Sequence, residues 1–190
     1  MTDLDPRPDN AYNILSLDPG TETLGHGLIQ VSTTDGKIIG VDAWTVRASK
    51  LPMLLDWDVS LYQERFARIN ALKKSLRQTL ETYEPQIVAC ETPFFNSLRP
   101  NAFEALLEVL TAIKTTVYEW NPFVKIAFVT PSTAKKNLNV SGKSGDKNLT
   151  INAILSHEIF SKMNLKGIDE HSADALAIGY YRYCHKPEPT

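Results

Sequence analysis

The 190-residue chain has only two cysteines, Cys90 and Cys184, and they sit in unlike surroundings. That scarcity argues against a disulfide framework and against a cysteine-based metal site. In a chain of that kind, the glycosylation patterns at Asn139-Val140-Ser141 and Asn148-Leu149-Thr150 are chance matches. No apolar run approaches the roughly 18 residues that a membrane span requires, and the start lacks a signal peptide's basic-then-apolar pattern. An excess of positive charge is missing too: the net charge is −2, so a nucleic-acid partner would have to meet a local basic patch. There is no internal repeat and no interior linker. What remains is 43% hydrophobic and 22% charged residues, the balance of a soluble globular protein, at a length suited to one domain with a substantial core. That domain is expected over residues 12–185, behind an Asp-, Pro- and Asn-rich tail, 1–11, expected to be disordered.

The run Ile14-Leu15-Ser16-Leu17-Asp18-Pro19-Gly20 is an apolar segment that ends on a carboxylate and a turn, which predicts a buried strand near 12–18. The Pro-Gly turn, with Gly25 and Gly27, reads as the connection to a second strand near 25–32. Thr33-Thr34-Asp35-Gly36 is a hairpin signal leading to a third strand over 37–46. The period then becomes helical over 58–83, where Phe66, Ile69, Leu72, Leu76 and Leu80 mark one face and Pro85 enforces the stop. A strand over 86–91, a helix over 101–119, a strand over 124–129, and helices over 146–163 and 171–184 complete the order. The 101–119 stripe of Phe103, Leu106, Leu107, Leu110, Ile113 and Val117 reads as core, with a subunit interface as the alternative. Hairpin strands followed by crossover strands predict an α/β fold with a mixed sheet and helices on its faces.

Alone, Asp18 is a turn cap. Yet Gln86-Ile87-Val88-Ala89-Cys90-Glu91 also ends on a carboxylate, and Asp174 lies among Ala173, Ala175, Leu176, Ala177 and Ile178, where an unpaired charge is expensive to bury. Asp169 and Glu170 read as helix N-terminal caps, and His171 shares a face with Asp174 at i, i+3. A metal ion relieves the cost of several carboxylates at once, and oxygen-rich clusters suit Mg²⁺ or Mn²⁺. Two such ions roughly 4 Å apart can cleave a phosphodiester. The residues therefore predict a divalent-metal nuclease with Asp18, Glu91 and Asp174 as ligands, and His171 as a nitrogen ligand or proton-transfer group.

Leu17-Asp18-Pro19-Gly20 with Gly25-His26-Gly27, Ile87-Val88-Ala89-Cys90-Glu91, and Asp174-Ala175-Leu176-Ala177-Ile178 resemble, in order and over nearly the whole chain, the RuvC family of Holliday junction resolvases. The resemblance implies a ribonuclease H-like fold with a five-stranded sheet, a homodimer, Mg²⁺ dependence with two ions per site, and paired nicks across a four-way DNA junction. It matches Asp18, Glu91 and Asp174 to the family's catalytic acids. Many members carry Asp three residues before the last acid and others carry His; here it is His171, which favours Mn²⁺ as well and leaves open whether His171 or Asp169 completes the site. With no targeting signal, the chain is expected in the cytoplasm of a bacterial cell or a phage-infected host.

From 130 to 148 the charged residues are Lys135, Lys136, Lys143, Lys147 and Asp146, a local +3 that can meet phosphates. In the family, lysines of this region face DNA, which points to Lys147 and to one of Lys135 and Lys136. Gly142-Lys143-Ser144 is not a phosphate loop, because position 137 is Asn rather than Gly. Phe94, in the loop after Glu91, matches a family aromatic placed to stack on an unpaired junction base, and a buried staple is its alternative. The competing readings are a nuclease with broader branched substrates (flap, Y-fork, three-way) and a junction-binding protein of the same fold that does not cut.

Overall fold

Strand β1, Ala11–Pro19, is central because both of its faces are apolar. Ile14 faces one helical layer, Leu15 and Leu17 face the other, and all three are fully buried. The computed structural model describes residues 4–6, 8–93, 100–140, 148–165 and 167–185. β1 pairs antiparallel with β2, Thr23–Ser32, which pairs antiparallel with β3, Ile38–Arg47. On its other side β1 pairs in parallel with β4, Ile87–Glu91, which pairs in parallel with β5, Ile126–Val129. The expected mixed five-stranded sheet thus has the order β3-β2-β1-β4-β5. Ahead of β1, the carbonyls of Asp5 and Pro6 accept hydrogen bonds from Gln30 and Asn13.

The helix expected over 58–83 is two helices, α1 (Asp56–Tyr62) and α2 (Glu64–Tyr83). They are separated at Gln63, whose φ of 71° and ψ of 159° lie where L-residues are strained. Ile69, Leu72, Leu76 and Leu80 are buried as their spacing predicts, but Phe66, beside the break, is half exposed. Helix α3, Pro100–Trp120, packs with α2 on the Leu15/Leu17 face, and Leu110, Ile113 and Val117 of its stripe are core. Leu107, in contrast, is 42% exposed and Tyr118 68%. Between them Thr111 and Thr115 donate their hydroxyls to the carbonyls four residues back, so this outer face presents methyl groups and rings.

The opposite face is covered by α4 (Pro131–Asn137), α5 (Asn148–Ser156) and α6 (Glu170–Cys184). The lysine-bearing segment is therefore a helix, capped by Thr130 and opened by Pro131 at its first turn. The helix expected over 146–163 stops at Ser156, and a 3₁₀ turn, Phe160–Lys162, follows it. Gly25 and Gly27 are not in a connection: both lie inside β2, where α6 presses on the sheet. A Cβ on Gly25 would stand 2.2 Å from His171 O, and one on Gly27 would stand 2.7 Å from Leu176 Cα.

Two outcomes follow. Gln63→Gly relieves the left-handed strain and raises stability by about 1 kcal/mol, read from urea unfolding. Gly27→Ala forces α6 off the sheet and lowers stability by about 1–3 kcal/mol in the same measurement.

Candidate metal centre

Parallel pairing sets Leu17 beside Cys90, so Asp18 and Glu91, the next residues of β1 and β4, leave the sheet side by side. Across β2, the bare backbone of Gly25 lets the first turn of α6 come down over the end of β1. His171 Nδ1 then lies 2.8 Å from Asp18 Oδ2, between residues 153 positions apart. One turn on, Asp174 faces α4, where its Oδ2 lies 2.9 Å from Lys135 Nζ. Glu91, Lys135 and Asp174 line one narrow cleft. The structure thus brings together Asp18, Glu91, His171 and Asp174, with Lys135 against them.

The electrostatics follow from burial and crowding. The Glu91 carboxyl is pushed up to about 8 by desolvation, by the charge of Asp18 and a hydrogen bond shared with it, and by the charge of Asp174. His171 is raised by its hydrogen bond to Asp18, against the opposing effect of burial. Asp174 Oδ1 is buried with no hydrogen-bond partner. Cys90 is a buried thiol pushed far up by desolvation, a small hydrophobe as its setting predicts.

Asp169 has a different job. It caps α6, with Ser172 N donating to its Oδ1 and Ser172 Oγ accepting from its backbone N–H. Thr45 donates to Oδ1, and Arg47 Nη2 pairs with Oδ2 at 3.2 Å. Burial pushes its pKa up, but the hydrogen bonds from Thr45 and Ser172 outweigh that and hold it below the ordinary value. Both carboxylate oxygens are therefore engaged by β3 and by the helix's own first turn.

A family model described as crossover junction endodeoxyribonuclease RuvC matches residues 14–182. The chain belongs to this family. It is 24% identical over 176 residues to the RuvC of Dehalococcoides mccartyi, covering 91% of this chain and 93% of that protein. The RuvC of Xanthomonas euvesicatoria pv. vesicatoria is 28% identical over 166 residues, covering 87% and 83%. Among solved structures, T. thermophilus RuvC in complex with Holliday junction substrate superposes with a TM-score of 0.64 at 19% identity, covering 90% of this chain and 92% of that one. The yeast mitochondrial Holliday junction resolvase Ydc2 superposes with a TM-score of 0.59 at 14% identity, covering 90% and 78%. These likenesses establish the ribonuclease H-like fold.

The RuvC family is divalent-metal dependent. The donors of this chain fit such an ion: an orphaned buried oxygen on Asp174 and a carboxyl on Glu91 that its neighbours keep protonated are what a divalent cation relieves. As arranged, no three His, Cys, Asp or Glu side chains among the described residues converge closely enough to encircle an ion. Lys135 and His171 stand against the carboxylates instead.

The two neighbouring lysines part ways. Lys135 turns inward to Asp174, while Lys136 is exposed at the end of α4. Phe94, Lys143 and Lys147 lie outside the described residues. One residue at the site went unforeseen: Thr23 Oγ1 is 3.2 Å from His171 Nε2, between residues 148 positions apart, and nothing local in Thr21-Glu22-Thr23 announces it.

The raised Glu91 gives a sign for pH. Between its ordinary 4.5 and about 8 the folded chain holds a proton that the unfolded chain has released, so metal-free stability falls as pH rises through that window. The His171 contribution has the same direction, being complete below the ordinary 6.5 and lost as pH rises through the higher folded value. Thermal melts of chelator-treated protein should decline across this range, Glu91→Gln should flatten the decline, and a melting temperature rising with pH contradicts it. Separately, Asp169→Ala costs about 0.5–2 kcal/mol of stability through the lost cap while leaving divalent-ion binding, measured by calorimetry, in place.

Proposed function

We propose that the chain, with a nuclease unit over 12–185, cuts four-way DNA junctions by paired symmetric nicks, using Asp18, Glu91, Asp174 and His171 as its cation-binding set. The observation that carries this reading is the meeting of two strand-terminal carboxylates with Asp174 and His171, in a chain of the RuvC family. Relatives of this chain are named crossover junction endodeoxyribonucleases, and a structural neighbour was solved with a Holliday junction. The ions are two Mg²⁺ per site, with Mn²⁺ also accepted. Bound there, divalent cations supply Lewis-acid activation of water and stabilisation of the leaving oxygen. Asp18 and Glu91 offer hard oxygen donors from the rigid sheet, and Asp174 and His171 offer theirs from the first turns of α6. Lys135 balances Asp174 here, and with a cation taking over that role it would be free to meet the scissile phosphate. Lys136, Lys143 and Lys147 take backbone phosphates, and Phe94 stacks on a junction base.

The partner copy is a second molecule of this chain. Supporting that reading, the outer face of α3 and the adjoining α2 frame an open groove of about 610 Å³ that includes Phe66, Leu107, Thr111 and Thr115. Two-fold pairing there gives the two centres that symmetric nicks need. The described residues contain no helix long and apolar enough to cross a membrane, in keeping with work in the cytoplasm of a bacterial cell or infected host.

The deciding experiment compares cleavage of four-way, three-way and flap substrates with Mg²⁺ and with Mn²⁺. Paired nicks on the four-way junction are expected, equal cutting of flaps marks the broader nuclease, and binding without cutting marks the non-cleaving protein. Asp18→Asn should abolish nicking while junction affinity, measured by gel shift, stays close to that of the unaltered chain. Nicking by that variant at the full rate removes Asp18 from the set.

A further inference from the structure

We propose that Thr23 is a positioning residue that holds the His171 imidazole in one orientation for the carboxylate centre. The proposal rests on the assignment of His171 to that centre. His171 is held at both ring nitrogens: Nδ1 by Asp18 Oδ2 at 2.8 Å and Nε2 by Thr23 Oγ1 at 3.2 Å. Nδ1 is the nitrogen that faces the acids: it donates to the Asp18 carboxylate here, and would have to give up that proton to ligate a cation. That leaves Nε2 as the nitrogen by which the ring is held. Nε2 then faces a hydroxyl, a partner that donates to a neutral ring and accepts from a protonated one. Thr23 thus serves the imidazole in either state without bringing a charge of its own beside the acids.

A positioning group must itself be fixed, and the short segment that carries Thr23 is clamped from three sides. The Glu22 carbonyl accepts from Ala48 N at 2.8 Å, just after β3. Its carboxylate takes Ser49 Oγ at 2.5 Å on one oxygen and pairs with Arg68 Nε of α2 at 3.2 Å on the other. Thr23 itself pairs with Arg47 across β2 and β3 and is 8% exposed. β3, the turn after it and α2 therefore all bear on where one hydroxyl stands. His171, at 39% side-chain exposure, is not held by burial alone. Groups that orient a ligating histidine through its second nitrogen change metal affinity or activity about 10–100-fold when removed.

Thr23→Val, Thr23→Ser and His171→Ala test this. Calorimetry of Mn²⁺ binding should show an affinity about 10–100-fold lower in Thr23→Val than in the unaltered chain and in Thr23→Ser. In single-turnover nicking of a four-way junction with Mn²⁺, Thr23→Val should be about 10–100-fold slower at unchanged junction affinity, with Thr23→Ser restoring the rate. If Thr23→Val melts too low to assay, Thr23→Ala removes the hydroxyl without the added methyl, and the same slowing is expected. A full rate in the variants lacking the hydroxyl, or a Thr23→Ser as slow as Thr23→Val, overturns the proposal. When His171→Ala is inactive in that case, only the role of Thr23 has failed. When His171→Ala also nicks at the full rate, the assignment of His171 has failed and takes the role of Thr23 with it.

Discussion

Three carboxylates confined to one end of a sheet cannot all be ionised without a counter-charge, and the rest of the centre answers that constraint. Glu91 answers it by keeping its proton, Asp174 by pairing with Lys135, and Asp18 by accepting from His171. Each answer is partial, since an oxygen of Asp174 stays buried with no partner. The centre is held by covalent geometry and packing against its own repulsion, which is the condition of a site built to receive a cation.

The packing that imposes this crowding comes from the absence of two side chains. Gly25 and Gly27 let α6 settle onto β2 at backbone distance, and that contact carries His171 and Asp174 to the ends of β1 and β4. The same helix closes the core on its face through Leu176 and Ile178, so the burial that stabilises the domain and the convergence of its functional groups are one event. Asp169 is held by Thr45, Arg47 and Ser172 and fixes where the helix begins.

Much of this was legible in the residues. Asp18 and Glu91 stand out because each ends an apolar run, and Asp174 because its neighbours are aliphatic; such local patterns survive folding unchanged. The mixed sheet followed from a hairpin signal and two crossovers, although its strand order did not. What escaped reading lacks a local signature. Gln63 carries no breaker chemistry, so the split between α1 and α2 has no local signal. Gly25 and Gly27 read as turn residues because nothing nearby shows that a helix presses on them. Leu110, Ile113 and Val117 of the α3 stripe are core, while Leu107 lies on an outer face whose threonine hydroxyls fold back on the helix and leave methyl groups outside. Lys135 and Thr23 meet their partners across the fold, and their spacing in the chain says nothing of it.

The separation between Asp18 and His171 has a consequence in time. Asp18 lies on the first strand and His171 on the last helix, 153 positions later. Closing so long a loop is entropically slow, and in the folded chain it accompanies the parallel β1–β4 pair and the seating of α6 on the glycine surface of β2. During synthesis the strands that carry Asp18 and Glu91 emerge well before the helix that completes the centre. On the proposed reading of the centre, a nascent chain offers DNA two isolated acids, and competence arrives only when α6 is made and docked.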